Sequence, residues 1–168
     1  DLDLLVAMNP AALKTNISAL KPGHMVIVDK DSFNEKNLEK AEYKSNPLED
    51  GSLSNYKVIE VDMTSLTKEA VKGLPLDTKS IVRSKNMFAL GMVYWMYNRE
   101  MNYTLDFFAK KFKYNPEVAE SNSRVLKAGY YYAETLELIP VAYKVAPSKM
   151  PKGTYRILNG NTATAWGF

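Results

Sequence analysis

The chain has 168 residues, of which 46% are hydrophobic and 24% are charged, and its formal net charge at pH 7 is +3. This composition suits one globular domain with a sizeable core, and the small charge does not indicate a nucleic-acid-binding surface. The absence of cysteine excludes disulfides, zinc-thiolate sites and cysteine-ligated iron-sulfur clusters within the chain, and a single histidine excludes a two-histidine metal site.

The sequence shows no membrane segment. Its longest apolar run, residues 87–97, is shorter than the roughly 18 to 20 residues that a membrane-spanning helix needs. A secretory signal pattern is also missing, so we expect a cytoplasmic protein with no membrane and no nucleic-acid partner. Because the chain begins within a strand pattern and without methionine, we expect it to be a piece of a longer protein.

The first half of the chain alternates between apolar runs and helical spacing. Residues 1–8 end in an apolar run, and Asn9 and Pro10 introduce a predicted helix over residues 11–20, because asparagine caps a helix and proline suits its first turn. Residues 24–29 form a second apolar run. Neither run alternates with polar residues, which is typical of strands that are covered on both faces.

A third predicted strand completes the alternating part of the chain. A short polar helix over residues 34–43 precedes the strand over residues 56–61, and Thr64 or Ser65 is expected to cap a helix that runs to Val71. The β-α-β-α-β-α order predicts a parallel sheet with helices on both faces. The fold class is therefore α/β, a three-layer Rossmann-like sheet followed by a C-terminal helical cluster.

The helical cluster begins with residues 84–97, which are apolar on nearly every helical face and are therefore predicted to be buried. Gly91 lies inside this run, where glycine costs roughly 1 kcal/mol relative to alanine. Its presence predicts that another backbone or a ligand comes close at this point. Two further helices are predicted over residues 104–112 and 115–132.

The C-terminal part suggests a domain boundary. Residues 138–144 are predicted to be extended, and residues 146–153 combine proline, lysine and small residues in the manner of a linker. We therefore expect one domain over residues 1–145, a linker over residues 146–153 and the start of a second domain over residues 154–168.

The residues do not assemble a catalytic set. The chain has no cysteine nucleophile, and its one histidine has no serine or acid beside it in sequence. Two carboxylate pairs, Asp29 with Asp31 and Glu117 with Glu120, are more typical of a solvated face or a helix start than of acid-base chemistry. We therefore predict no catalytic residue and no metal ligand.

Several segments together resemble a known family, the 2-oxoacid:ferredoxin oxidoreductases. The segments are residues 6–12 (VAMNPAA), 84–91 (SKNMFALG), 94–97 (YWMY), 116–120 (PEVAE), 128–130 (AGY) and 160–163 (GNTA). The similarity is to the gamma domain as it occurs fused ahead of the alpha domain, and most closely to the 2-oxoglutarate type. It covers nearly the whole chain.

The resemblance implies an enzyme complex that decarboxylates a 2-oxoacid on thiamine diphosphate with Mg²⁺. It passes electrons through 4Fe-4S clusters to ferredoxin and transfers the acyl group to coenzyme A. In the family the thiamine and the clusters belong to the alpha domain and the beta subunit, so this domain is expected to bind no cofactor and to be inactive alone. Its expected roles are the assembly of the subunits and contacts on the coenzyme A side of the active site.

Two departures from the family pattern concern the ends of the chain. A glycine-rich phosphate loop would be expected before the first helix, yet residues 8–12 contain no glycine. The loop and the first β-α unit are therefore expected upstream of residue 1. The substrate motif of the alpha domain is expected beyond Phe168.

The resemblance also suggests where coenzyme A would be contacted. Ligands of an open parallel sheet gather outside the carboxyl ends of its strands, here residues 8–9, 29–31 and 62–63. Arg83, Lys85 and Asn86, at the predicted start of the buried helix, are the best candidates to bind a phosphate group there, with Asn9 behind them. The structural alternative is that Asn86 only caps the helix and that Lys85 is solvated.

Two other classes of function compete with this prediction. A dinucleotide-dependent dehydrogenase needs an acid after the second strand, which Asp29 supplies, and a glycine fingerprint, which does not precede it. A non-enzymatic assembly domain would pack its apolar helices on a partner. The sequence around this piece in the parent protein would discriminate among the three.

Overall fold

A computed structural model describes residues 2–136, 143, 145–146 and 149–167 of the chain. Its strands are β1 (Leu2–Ala7), β2 (Leu20–Asp29) and β3 (Lys57–Val61). Its α-helices are α1 (Pro10–Asn16), α2 (Glu35–Lys40), α3 (Met63–Ala70), α4 (Thr78–Met96), α5 (Asn102–Lys111), α6 (Pro116–Thr135) and α7 (Gly160–Gly167). Single 3₁₀ turns cover Ile17–Ala19 and Lys30–Ser32. No helix of the described residues is both long and apolar enough to cross a bilayer.

The three strands form a parallel sheet in the order β1-β2-β3. Val26 of the central strand pairs with Leu5 on one side and with Val58 on the other. Residues 25–29 of this strand are all buried, because the sheet is covered on both faces. This burial explains why the strand patterns lack polar alternation.

Each face of the sheet supports one apolar core. On one face, Val26 and Val28 pack with Leu13 of α1 and with Phe33. The opposite face is larger, and there Ile27 belongs to a cluster with residues of α3, α4 and α6. Helices therefore lie on both sides of the sheet, and the predicted three-layer α/β fold with its helical cluster is confirmed.

The first helix is shorter than predicted. It ends at Asn16 instead of residue 20, and the chain passes through a 3₁₀ turn into β2, which begins at Leu20. Leu20 pairs with Leu2 and is buried, so this tertiary contact starts the strand four residues before the predicted residue 24 and includes Pro22 and Gly23 in it. Gly23 permits this path because its φ is +84°.

Two helix starts also differ from the predictions. The α3 helix begins at Met63, and the backbone amides of Thr64 and Ser65 are capped by Asp29 and Asp31 from the sheet end. The α4 helix begins at Thr78, about two turns before the predicted position, because Asp77 accepts a hydrogen bond from the Ser80 amide. The Ser80 hydrogen bonds hold the pKa of the Asp77 carboxyl below its usual value.

Two glycines bring α4 and α6 into backbone contact. A Cβ added at Gly91 would collide with Leu126 O and would lie 2.7 Å from Tyr130 N. A Cβ added at Gly129 would likewise collide with the Phe88 carbonyl. The close backbone approach that the sequence predicted at Gly91 is therefore confirmed, and the neighbour is α6.

The C-terminal predictions are tested only in part. The extended segment predicted over residues 138–144 lies outside the described residues except for Tyr143, whose amide donates to Met96 O and whose ring lies 5.4 Å from that of Tyr97. The new element predicted over residues 154–168 contains α7.

We expect Gly91→Ala to lower the free energy of unfolding by at least about 1 to 3 kcal/mol, because the added methyl group meets backbone that cannot rotate away. Gly160→Ala is the matched control, since a Cβ there meets nothing within 4 Å. Urea unfolding of both variants measures the difference. Equal stability of the two variants would contradict the backbone contact between α4 and α6.

Candidate functional site

A polar hollow of about 410 Å³ lies at the carboxyl ends of β1 and β2. Asn9 and Pro10, which follow β1 and begin α1, form one wall, and Ser32 and Asn37 form another. Lys40 of α2 and Lys85 of α4 supply two cations at its lining. The hollow therefore lies where ligands of open parallel sheets bind.

Two residues that line the hollow, Ser32 and Lys85, bind the carboxylate of Asp29, which is fully buried at the end of β2. Its Oδ2 accepts hydrogen bonds from Lys85 Nζ at 2.6 Å, Ser32 Oγ at 2.6 Å and Thr64 Oγ1 at 2.9 Å. The Thr64 amide donates to Oδ1 at 3.3 Å. A buried charge requires such partners, since removal from water is costly without them.

Asp29 and Asp31 together hold the N-terminus of α3. Asp31 Oδ2 accepts from the Ser65 amide at 2.7 Å, one residue beyond the amide that Asp29 binds. Negative charge at this end of a helix is favourable because the first amides have no partner within the helix. The sequence predicted that this carboxylate pair lies on a solvated face or at a helix start. The structure shows the second of these roles, and the helix is α3.

Lys85 is an ion-pair partner and also lines the hollow. Its side chain is only 13% exposed and its ammonium donates to Asp29 and, at 3.1 Å, to Ser32 Oγ. An ammonium group has three N–H donors, so one donor remains for a ligand. The alternative that Lys85 is merely solvated is wrong.

The four predicted contact residues do not lie together. Asn9 and Lys85 share the hollow, whereas Arg83 lines a different pocket and Asn86 is exposed on α4. Their predicted position at a helix start is wrong, because Asp77 caps α4 and the three α4 residues lie in its second and third turns. Asn86 therefore does not cap the helix.

Three lining residues were missed by sequence reasoning. Ser32 and Asn37 are tied to each other, since Asn37 Nδ2 donates to Ser32 O at 2.9 Å, and Lys40 stands exposed one turn further along α2. The only sequence signal for them was their position shortly after the second strand.

The chemistry that this hollow offers is recognition of an anion. Asn9 uses its Oδ1 to accept from the Ala12 amide at 2.8 Å, which leaves its side-chain NH₂ for a ligand. Together with Lys85 and Lys40 it suits phosphate oxygens. Within the described residues no three histidine, aspartate or glutamate side chains are grouped so that they could hold a metal ion.

Comparison with known proteins identifies relatives of the chain. Residues 1–132 match the family model for pyruvate ferredoxin/flavodoxin oxidoreductase. Over 165 residues the chain is 50% identical to the 2-oxoglutarate oxidoreductase subunit KorA of Mycobacterium tuberculosis, and the match covers 98% of this chain.

A solved structure shares the fold. It is a 2-oxoglutarate:ferredoxin oxidoreductase from Magnetococcus marinus with 2-oxoglutarate, coenzyme A and succinyl-CoA bound. The TM-score is 0.60 at 23% sequence identity, over 90% of this chain and 23% of that one. The Mycobacterium relative is likewise matched over only 25% of its length, so the chain spans about a quarter of each relative.

Lys85→Met should lower the free energy of unfolding by about 3 to 5 kcal/mol, because the charge of Asp29 would stay buried without its cation. The matched control is Lys30→Met, whose ammonium lies 3.3 Å from Glu60 but is 57% exposed, so its loss should cost less than about 1 kcal/mol. Denaturant unfolding compares the two. A second variant, Asp29→Asn with Lys85→Met, should recover part of the loss; equal costs for the two single variants would refute the buried ion pair.

Proposed function

Because the chain belongs to the pyruvate ferredoxin/flavodoxin oxidoreductase family, we propose that it is the gamma domain of a 2-oxoglutarate:ferredoxin oxidoreductase. The complex would carry out the coenzyme A-dependent oxidative decarboxylation of 2-oxoglutarate, with electrons passed to ferredoxin. The observation that carries this proposal is the 50% identity to a 2-oxoglutarate oxidoreductase subunit over 98% of the chain.

Thiamine diphosphate, Mg²⁺ and 4Fe-4S clusters would belong to other parts of this complex. The residues of this chain do not fit the clusters or Mg²⁺, since cysteine is absent and no grouped carboxylates among the described residues suit a metal ion. No step of the reaction is therefore assigned to these residues. Coenzyme A is different, because its phosphates match the donors of the hollow.

We propose that the domain contacts coenzyme A at the hollow that contains Asn9 and Lys85. The support is that the amide of Asn9 and one N–H of Lys85 are left for a ligand, next to the exposed cation of Lys40. Asp29 would fix the position of the Lys85 ammonium before a ligand arrives, which lowers the ordering cost of binding. The predicted contacts of Arg83 and Asn86 with coenzyme A stay predictions.

The proposed partners are the alpha domain of the same chain, a beta subunit and ferredoxin as electron acceptor, in a cytoplasmic complex. The alpha domain would begin after the linker over residues 146–153. Support for this boundary comes from Tyr155, Ile157, Leu158 and Trp166, whose apolar side chains are exposed in the described residues. Apolar side chains in one short segment suit packing against a domain that continues the chain.

A dinucleotide-dependent dehydrogenase is not favoured. That class needs the acid after the second strand to bind ribose hydroxyls. Asp29, which stands at this position, is fully buried and already accepts from Lys85, Ser32 and Thr64. A pure assembly role remains compatible with the fold and differs from the proposal only in lacking a coenzyme A contact.

Asn9→Asp tests the coenzyme A contact in the whole complex. Aspartate caps a helix as well as asparagine does, so α1 should persist, while its negative charge would repel a phosphate in the hollow. At a few ångströms this repulsion is worth about 1 kcal/mol or more, and we expect the KM for coenzyme A to rise by about fivefold or more while the KM for 2-oxoglutarate is unchanged.

The matched control is Asn34→Asp, which makes the same change at the N-cap of α2, where the side chain accepts from the Asn37 amide. Its kinetics should equal those of the unaltered complex. If Asn9→Asp also leaves both Michaelis constants unchanged, the hollow does not contact coenzyme A.

The chain on its own should not catalyse the reaction, because it supplies neither cysteine ligands for a cluster nor a set of reacting side chains. We expect only the full complex to reduce ferredoxin or a viologen dye in a reaction that depends on 2-oxoglutarate and coenzyme A. Turnover by the separate chain would show that reacting groups have been overlooked in it.

A further inference from the structure

Ser32 lines the hollow and contacts both members of the buried ion pair beside it. Its Oγ lies 2.6 Å from Asp29 Oδ2 and 3.1 Å from Lys85 Nζ, and those two atoms lie 2.6 Å from each other. The hydroxyl, the carboxylate and the ammonium therefore form a closed triangle of hydrogen bonds. Two of its three sides depend on the hydroxyl of Ser32.

The direction of each hydrogen bond in this triangle follows from the groups that form it. An ionised carboxylate can only accept, so Ser32 donates its one hydroxyl proton to Asp29. An ammonium can only donate, so Lys85 gives one N–H to Asp29 and a second to Ser32. Ser32 therefore has no proton left for a phosphate, and its effect on such a ligand must pass through Lys85.

Ser32 is held in place by its own turn. The 3₁₀ turn Lys30–Ser32 follows β2 directly, and the next residue, Phe33, is buried in the core that contains Leu13. The Ser32 carbonyl accepts from Asn37 Nδ2 at 2.9 Å. Because a buried ring and a side chain of α2 both hold the turn, it presents the hydroxyl to Lys85 at a constant position.

The hydroxyl matters because one acceptor does not orient an ammonium group. Without Ser32, the ammonium of Lys85 would keep its bond to Asp29, which also accepts from Thr64 Oγ1 at 2.9 Å. It could then turn about that single hydrogen bond. A second acceptor removes this freedom, so the third N–H has a defined direction and the ordering cost of binding a ligand falls.

We propose that Ser32 is a positioning residue, which sets the affinity of the hollow for a phosphate group by orienting the free N–H of Lys85. The inference rests on the proposed function, in which the phosphate belongs to coenzyme A. It deepens that function because it assigns a part of the affinity to a residue that gives the ligand no hydrogen bond of its own.

Ser32→Ala in the whole complex removes the second acceptor and leaves the ion pair. We expect the KM for coenzyme A to rise about fivefold, while kcat and the KM for 2-oxoglutarate are unchanged, because only binding at the hollow is weakened. Ser32→Thr keeps the hydroxyl and should restore most of the affinity. A merely structural serine would instead give a lower melting temperature and an unchanged KM for coenzyme A.

The matched control is Ser45→Ala. Ser45 likewise donates to an aspartate, Asp50, but it is exposed and does not line the hollow. Its loss should leave all three kinetic constants unchanged. The route through Lys85 is tested in the double variant Asp29→Asn with Lys85→Met, in which Ser32→Ala should cause no further rise in the KM for coenzyme A.

Three results would overturn the proposal. They are an unchanged KM for coenzyme A in Ser32→Ala, an equally raised KM in Ser32→Thr, and a full further rise when Ser32→Ala is added to the double variant. The last result would mean that the serine contacts the ligand itself.

Asn9→Asp separates a failure of this proposal from a failure of the proposed function. If Asn9→Asp raises the KM for coenzyme A and Ser32→Ala does not, the hollow contacts coenzyme A and only the positioning role of Ser32 is rejected. If neither variant raises it, the contact between the hollow and coenzyme A is rejected as well.

Discussion

The buried carboxylate of Asp29 connects the sheet to the helices that follow it. Within a few ångströms it accepts from a turn, from the first residues of α3 and from the side chain of Lys85 on α4. Because a buried charge without partners is very unfavourable, these three segments must stay in place together. The end of β2, the start of α3 and the second turn of α4 therefore behave as one unit, and the polar hollow is built on that unit.

The contact between α4 and α6 is a second constraint of a different kind. Here it is backbone atoms that meet, so the separation of the helices is set at Gly91 and Gly129 and cannot be adjusted by side-chain rotation. Such a contact resists change more strongly than an ordinary side-chain interface, in which rotamers can shift.

Much of the fold was predictable because burial leaves a direct trace in sequence. The apolar runs that became β1 and β2 lack polar alternation because both faces of the sheet are covered, and the costly Gly91 indicated a close backbone. The start of α4 was missed because its first two turns, residues 78–84, are mostly polar and contain only one buried residue, Ser84. The pattern therefore became recognisable only where the helix enters the core.

The candidate site was predicted less well, and the reason is geometric. Because α4 begins at Thr78, Arg83 and Lys85 are interior helical residues two positions apart. A separation of two residues corresponds to a rotation of about 200° around the helix axis, so their side chains leave the helix on nearly opposite sides. They cannot both face one hollow, although they are near neighbours in sequence. The pairing of Lys85 with Asp29, 56 residues earlier, has no local signal at all.

A domain that holds no reacting group can still influence a reaction through the remote part of a substrate. Under the proposed function, Lys85 and Asn9 would bind phosphates far from the coenzyme A thiol, and such remote binding energy can be used to orient the reacting end. For this purpose the donors must be rigid, because a mobile lysine would spend the binding energy on its own ordering. The ion pair with Asp29 and the hydrogen bond to Ser32 Oγ provide that rigidity, since together they fix the Lys85 ammonium and leave one donor. Burial of this ion pair requires unfavourable desolvation, and the preorganised anion site that it creates explains why the pair is present.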